Sequence, residues 1–120
     1  MFWIRLGGFF MFLGVLLGAF GAHGLKDALS LEGKQIYQTA VLYHLIHALG
    51  LLAVGWLALL KPGEALVRSA GWSFVIGILL FSGSLYLLSL TGMRKLGMIT
   101  PLGGLAFLTG WLSLAFAAKG

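Results

Sequence analysis

Long apolar runs alternate with short charged segments along this chain. The first run, Met1 to Ala22, carries only Arg5 and is then uncharged; a second extends from Gln35 to Leu60, a third from Ser69 to Leu90 and a fourth from Thr100 to Ala118. About 20 consecutive apolar residues cross a bilayer as a helix. The pattern therefore predicts an all-α fold, a four-transmembrane-helix bundle with spans at about 4–22, 37–60, 69–90 and 100–118. A single integral membrane domain, 1–120, accommodates all four.

The polar segments punctuate these runs. His23 to Gln38 is expected to be a loop at the headgroups, with Lys26, Asp27, Glu32 and Lys34, and Ser30 can cap the helix that follows. Lys61-Pro62-Gly63-Glu64 combines two helix breakers with two charges and predicts a wet turn. Thr91 to Ile99 is a third loop, carrying Arg94 and Lys95. Pro101 fits the first turn of helix four, where a missing amide proton costs nothing. Lys119 is expected to end the chain in water. The first run could also serve as a secretory signal, since Ala19-Phe20-Gly21 resembles a cleavage site. Its length favours a transmembrane helix.

Small residues recur at helical spacing. Gly14, Gly18 and Ala22 form one stripe, Ser69, Ser73 and Gly77 a second, and Ala106 and Gly110 continue the theme. Such stripes let helices approach closely, within one bundle or between subunits. A homo-oligomer is expected on this ground. Gly14-Val-Leu-Leu resembles Gly77-Ile-Leu-Leu, and Gly55-Trp56-Leu57 resembles Gly110-Trp111-Leu112, so two parallel helical-hairpin repeats are a further expectation. Trp3, Trp56, Trp72 and Trp111 fall toward the terminal side, as an aromatic belt would. Phe9, Phe10 and Phe12 are expected to face lipid.

Composition agrees with lipid as the solvent. Of 120 residues 60% are hydrophobic and only 9% charged, against about a quarter charged in soluble domains. The formal net charge of +5 comes from basic residues spread over ends and loops; a nucleic-acid surface would cluster them, so membrane lipid, and no nucleic acid, is the expected partner. Four spans put Arg5, Lys61, Arg68 and Lys119 on one side and Lys26, Lys34, Arg94 and Lys95 on the other. The near tie leaves a lean toward cytoplasmic termini. Without cysteine, thiolate metal sites and thiol nucleophiles are excluded.

Candidate chemistry rests on histidine. No Asp, Glu, Lys or Arg lies deep within a run, which argues against a proton-coupled pump built on a buried carboxylate. The small four-helix multidrug exporters need a glutamate in their first span, and there is none here. Measured from Gln38 near the interface, His44 lies about 9 Å deeper and His47 about 13 Å. The two histidines are three residues apart and share a face. His23 leaves helix one at the same surface, and Tyr37 and Tyr86 fall toward that half of the membrane. A cluster of His23, His44, His47, Tyr37 and Tyr86, with the small polar patch Ser82-Gly83-Ser84, is geometrically possible. Three chemistries fit it. Neutral imidazoles can fix the register of the bundle by hydrogen bonds between helices. They can line a polar pocket for a small ligand or permeant solute. Or His44 and His47 can chelate a metal from one helix with His23 as a third ligand, whereas a haem would need His23 plus one of them.

Several short segments carry a family resemblance. They are Gly18-Ala-Phe-Gly-Ala-His23-Gly-Leu25, Tyr37-Gln-Thr-Ala, Tyr43-His-Leu-Ile-His47-Ala-Leu, Phe81-Ser-Gly-Ser-Leu-Tyr86, Thr100-Pro-Leu-Gly-Gly104 and Gly110-Trp111. In this order they resemble the small membrane proteins of domain-of-unknown-function family 423, which includes bacterial inner-membrane proteins and the eukaryotic transmembrane protein 256. The resemblance implies four spans in a bacterial cytoplasmic (inner) membrane. It supplies no activity and no cofactor, and it makes the histidine motifs, Ser82 and Ser84 the family signature. The combined expectation is a non-enzymatic membrane protein that binds or passes a small molecule or lipid at a His-lined pocket. A metal- or haem-binding membrane protein and a structural subunit of a membrane complex are the alternatives.

Overall fold

A computed structural model describes residues 1–118; Lys119 lies outside the described residues. Every regular element among the described residues is helical: α1 Phe2–His23, α2 Leu31–Leu60, α3 Ala65–Gly77, a π-turn Ile78–Ser82, α4 Gly83–Thr91, a 3-10 turn Arg94–Met98 and α5 Thr100–Ala117. The third span, Ala65–Thr91, runs continuously through α3, the π-turn and α4. Four helices are long and apolar enough to cross a membrane.

Local chemistry sets the ends. The Ser30 hydroxyl accepts from the Gly33 amide at 3.0 Å, which satisfies one of the orphan donors at a helix start. That cap starts α2 at Leu31, so the first loop shrinks to residues 24–30. At about 1.5 Å per residue α2 is about 45 Å long, longer than the hydrocarbon layer of about 30 Å, and its first turns stand among headgroups. Pro62 and Gly63 (φ 77°) stop it at the far end. The Lys61 ammonium donates to the Ala117 carbonyl at 2.7 Å and ties this turn to the last turn of α5. Gly92 (φ 72°) closes α4, its amide donating to Leu88 at 2.8 Å.

Helix α1 packs along α2, α2 packs against the third span, and α5 packs on α3 and the π-turn. The inner pair carries the core, with Leu51, Val54, Val67, Ala70 and Phe74 fully buried, joined by Trp3 from α1 and Phe107 from α5. The outside is apolar: Phe12 and Leu108 are each 63% exposed, and Phe9, Leu16, Leu79 and Leu112 stand out beside them. Lipid is as apolar as leucine, so close packing and hydrogen bonds, not burial from water, hold such helices together.

The small stripes are spent on that packing. Gly14 and Gly18 sit against Leu45, His44 and Val41 of α2, and Gly21 lies under the Tyr37 ring. The third member is Gly21, not Ala22, because a turn of 3.6 residues returns to a face after seven positions better than after eight. Ala22 is exposed. On α3 the Ser69–Ser73–Gly77 stripe faces α5: Ser69 and Ser113 share a 3.2 Å hydrogen bond, and Gly77 lies under the Phe107 ring. The stripes that raised the expectation of self-association thus lie inside the bundle.

Of the four tryptophans only Trp3 is buried, and Trp111 is 40% exposed. Trp56 and Trp72 are exposed, as interfacial anchors are. Trp3 is buried over Gly71, and Trp111 turns toward α2. Phe9 and Phe12 face outward, whereas Phe10 packs on the core.

Candidate functional site

The two histidines of α2 are both 3% exposed and serve opposite neighbours. His44 Nε2 lies 2.8 Å from the Phe10 carbonyl of α1, and Nδ1 lies 2.8 Å from the Tyr86 hydroxyl of α4. A carbonyl only accepts, so Nε2 carries the proton and Tyr86 donates to Nδ1. His47 is the reverse. Its Nδ1 donates to the Tyr43 carbonyl at 2.7 Å, and its Nε2 accepts from Trp111 Nε1–H of α5 at 2.9 Å. The His47 ring stacks on Phe107 with centroids 3.5 Å apart.

Three positions along a helix leave two side chains about 60° apart. Here that angle separates the α1 side of α2 from the α5 side. His44, Tyr86 and Tyr37 do come together: the Tyr37 and Tyr86 rings meet edge to face at 5.3 Å, and Tyr37 donates its hydroxyl proton to Leu17 of α1. His47 joins a separate aromatic group of Phe74, Phe107 and Trp111. His23 is exposed at the end of α1, its Nδ1 donating to the Ala19 carbonyl at 2.9 Å. The expected single cluster is therefore corrected to three separate environments. His23, His44 and His47 do not form a metal set: among the described residues no three potential ligands converge, and both nitrogens of His44 and of His47 are already engaged.

The serines are likewise engaged. Ser82 is fully buried and donates to the Ala40 carbonyl of α2 at 2.8 Å. Ser84 donates to Phe81 at 3.0 Å and meets Thr100 at 2.6 Å, where α5 begins. The π-turn sets them apart: the Gly83 amide reaches back to the Ile78 carbonyl, a wider loop than an α-turn. It presses the Phe81 backbone onto Gly103, where any side chain would collide. Every buried side-chain nitrogen and oxygen among the described residues has a partner.

Open space lies beside these residues. A groove of about 530 Å³ runs between α1 and α2, floored by Gly18, Tyr37, Val41 and Leu45 and rimmed by Lys26 and Lys34. A second, of about 680 Å³, lies between α2 and α5 over Tyr43, His47, Phe81 and Trp111. The pairing of His47 with Trp111 has no short-range sequence signal, since the residues are 64 positions apart. The rim lysines could have been found by noticing that they flank the capped start of α2.

A family model described as "Protein of unknown function (DUF423)" matches residues 17–104. The chain belongs to this family. Among curated relatives, the UPF0382 membrane protein YwdK of Bacillus subtilis is 50% identical over 115 residues, covering 96% of this chain and 94% of its own. A UPF0382 membrane protein of Staphylococcus epidermidis is 46% identical, covering 95% and 92%. One from Haemophilus influenzae is 42% identical, covering 96% and 89%. No solved structure matches the chain. The DUF423 match takes in His23, the His44–His47 pair and the π-turn.

Proposed function

We propose that this membrane protein binds a lipid or similar amphiphile in the groove between α1 and α2, and acts by binding rather than by catalysis. The observation behind it is the groove itself. Its volume of about 530 Å³ falls within the range of ligand clefts, about 300–1,000 Å³, and its floor is apolar at acyl-chain depth. The hydrogen bonds of Tyr37 to Leu17 and of His44 to Phe10 hold α1 and α2 in register behind it. The histidine thus supports the wall of the site; it is not a ligand-facing group. The same proposal carries a cytoplasmic-membrane location with both termini on the cytoplasmic side, where the amino terminus adds one positive charge to Arg5, Lys61, Arg68 and Lys119 against Lys26, Lys34, Arg94 and Lys95 opposite.

A phospholipid with a photoactivatable acyl chain tests the groove. Adducts concentrated on Val41, Leu42 and Leu45 are expected. Adducts spread evenly over Phe12, Leu105 and Leu108 would remove the site.

A further inference from the structure

We propose that the groove between α1 and α2 selects an anionic phospholipid, whose phosphate sits between Lys26 and Lys34. The site presupposes the acyl-chain groove proposed above and adds its headgroup chemistry.

The two lysines rim the groove from opposite sides of the first loop, Lys26 just after α1 and Lys34 in the first turn of α2. Lys34 is half-buried, and among the described residues neither ammonium makes a hydrogen bond or ion pair. The segment also carries Asp27 and Glu32, but neither carboxylate lines the groove. The rim is therefore doubly positive, while every other lining side chain is neutral.

Depth matches a phospholipid in order. Gln38 lies one turn below Lys34 and also lines the groove, at the level where glycerol ester carbonyls could take its amide protons. Val41 is seven residues below Lys34, about 10 Å deeper at 1.5 Å per residue, and Leu45 lies one further turn down. Charge, then amide, then hydrocarbon wall is the sequence of an anionic lipid from phosphate to acyl chain. Basic pockets between transmembrane helices favour anionic headgroups in this way. A zwitterionic lipid brings its own ammonium, which two unpaired lysines repel.

Full-length protein in phosphatidylcholine vesicles, doped with spin-labelled phosphatidylglycerol, phosphatidylcholine or stearic acid, provides the test through the motionally restricted signal. Phosphatidylglycerol should be preferred over phosphatidylcholine by about tenfold or more, since a lysine at the surface contributes about fivefold. The double variant Lys26→Gln/Lys34→Gln should abolish that preference, and Lys26→Arg/Lys34→Arg should keep it. Ala22→Trp, at an exposed lining position, should displace all labelled lipids by filling the groove. Equal retention of both phospholipids, with Ala22→Trp still effective, would overturn the headgroup site and leave the groove. A preference for stearic acid would overturn it in favour of a free carboxylate. No response to Ala22→Trp would remove the groove and the headgroup site together.

Discussion

His44 and His47 stand three residues apart on α2 and hold their ring protons on opposite nitrogens. Phe10 takes the Nε2 proton of His44, and Tyr43 takes the Nδ1 proton of His47. Each remaining nitrogen accepts, from Tyr86 and Trp111 respectively. One turn of helix thus fastens α2 to α1 and α4 through one ring, and to α5 through the other.

Nitrogen-15 NMR of the histidine rings checks this directly. His44 should show an unprotonated Nδ1 and His47 an unprotonated Nε2. Trp111→Phe should move the His47 Nε2 resonance and leave His44 unchanged. Identical tautomers in the two rings would contradict the assignment.

Tyr86→Phe removes the donor to His44 without changing shape. It should lower stability in detergent by about 0.6 kcal/mol, and by no more than about 1.7, the range found for such bonds in membrane bundles. Once His44 is replaced by Leu, Tyr86→Phe should have no further effect. Fully additive losses in thermal unfolding would show that the two side chains do not couple.

Glycine substitutions on α1 should divide by face. A Cβ at Gly14 would lie 3.4 Å from His44 Nε2 and 2.6 Å from the end of Leu45, whereas one at Gly8 meets nothing within 4 Å. Gly14→Leu should therefore destabilise by about 1–3 kcal/mol, the usual effect of overpacking, while Gly8→Leu should be near neutral. Equal melting temperatures for the two variants would place the α1–α2 contact elsewhere.

Metal dependence has a simple check. With both nitrogens of His44 and His47 engaged, added zinc or haem should neither raise the melting temperature nor give a stoichiometric complex. A metal-loaded protein that loses its metal in His44→Leu would restore the coordination chemistry.

Orientation follows from fusions. A fluorescent protein fused after residue 120 should fold and fluoresce, and alkaline phosphatase at the same place should be inactive. The reverse pair would put the termini outside.

The spans were legible because a bilayer requires long uncharged helices, and the Ser30 cap and Pro101 were legible because each acts on its own neighbours. The side-chain partnerships were not. The shared face of His44 and His47 was inferred from spacing, but about 60° of rotation is enough to reach different helices, and only the bundle decides which. Trp111 reads as an interfacial anchor until His47 lies opposite it. The choice of Gly21 over Ala22 depends on where the Tyr37 ring falls. Ser82 and Ser84 read as one patch because nothing in Ile78–Ser82 announces a wider turn.

That wider turn has a consequence for what the third span can lose. A π-turn is a helix holding one residue in excess, accommodated by a local bulge. Removing the lipid-facing Leu79 should let the bulge relax into ordinary α-helix, with Phe74 above and Tyr86 below keeping their directions. The same deletion at the buried Val54 of α2 would swing every later side chain by about 100°. The third span thus carries slack in its reading frame that the second lacks.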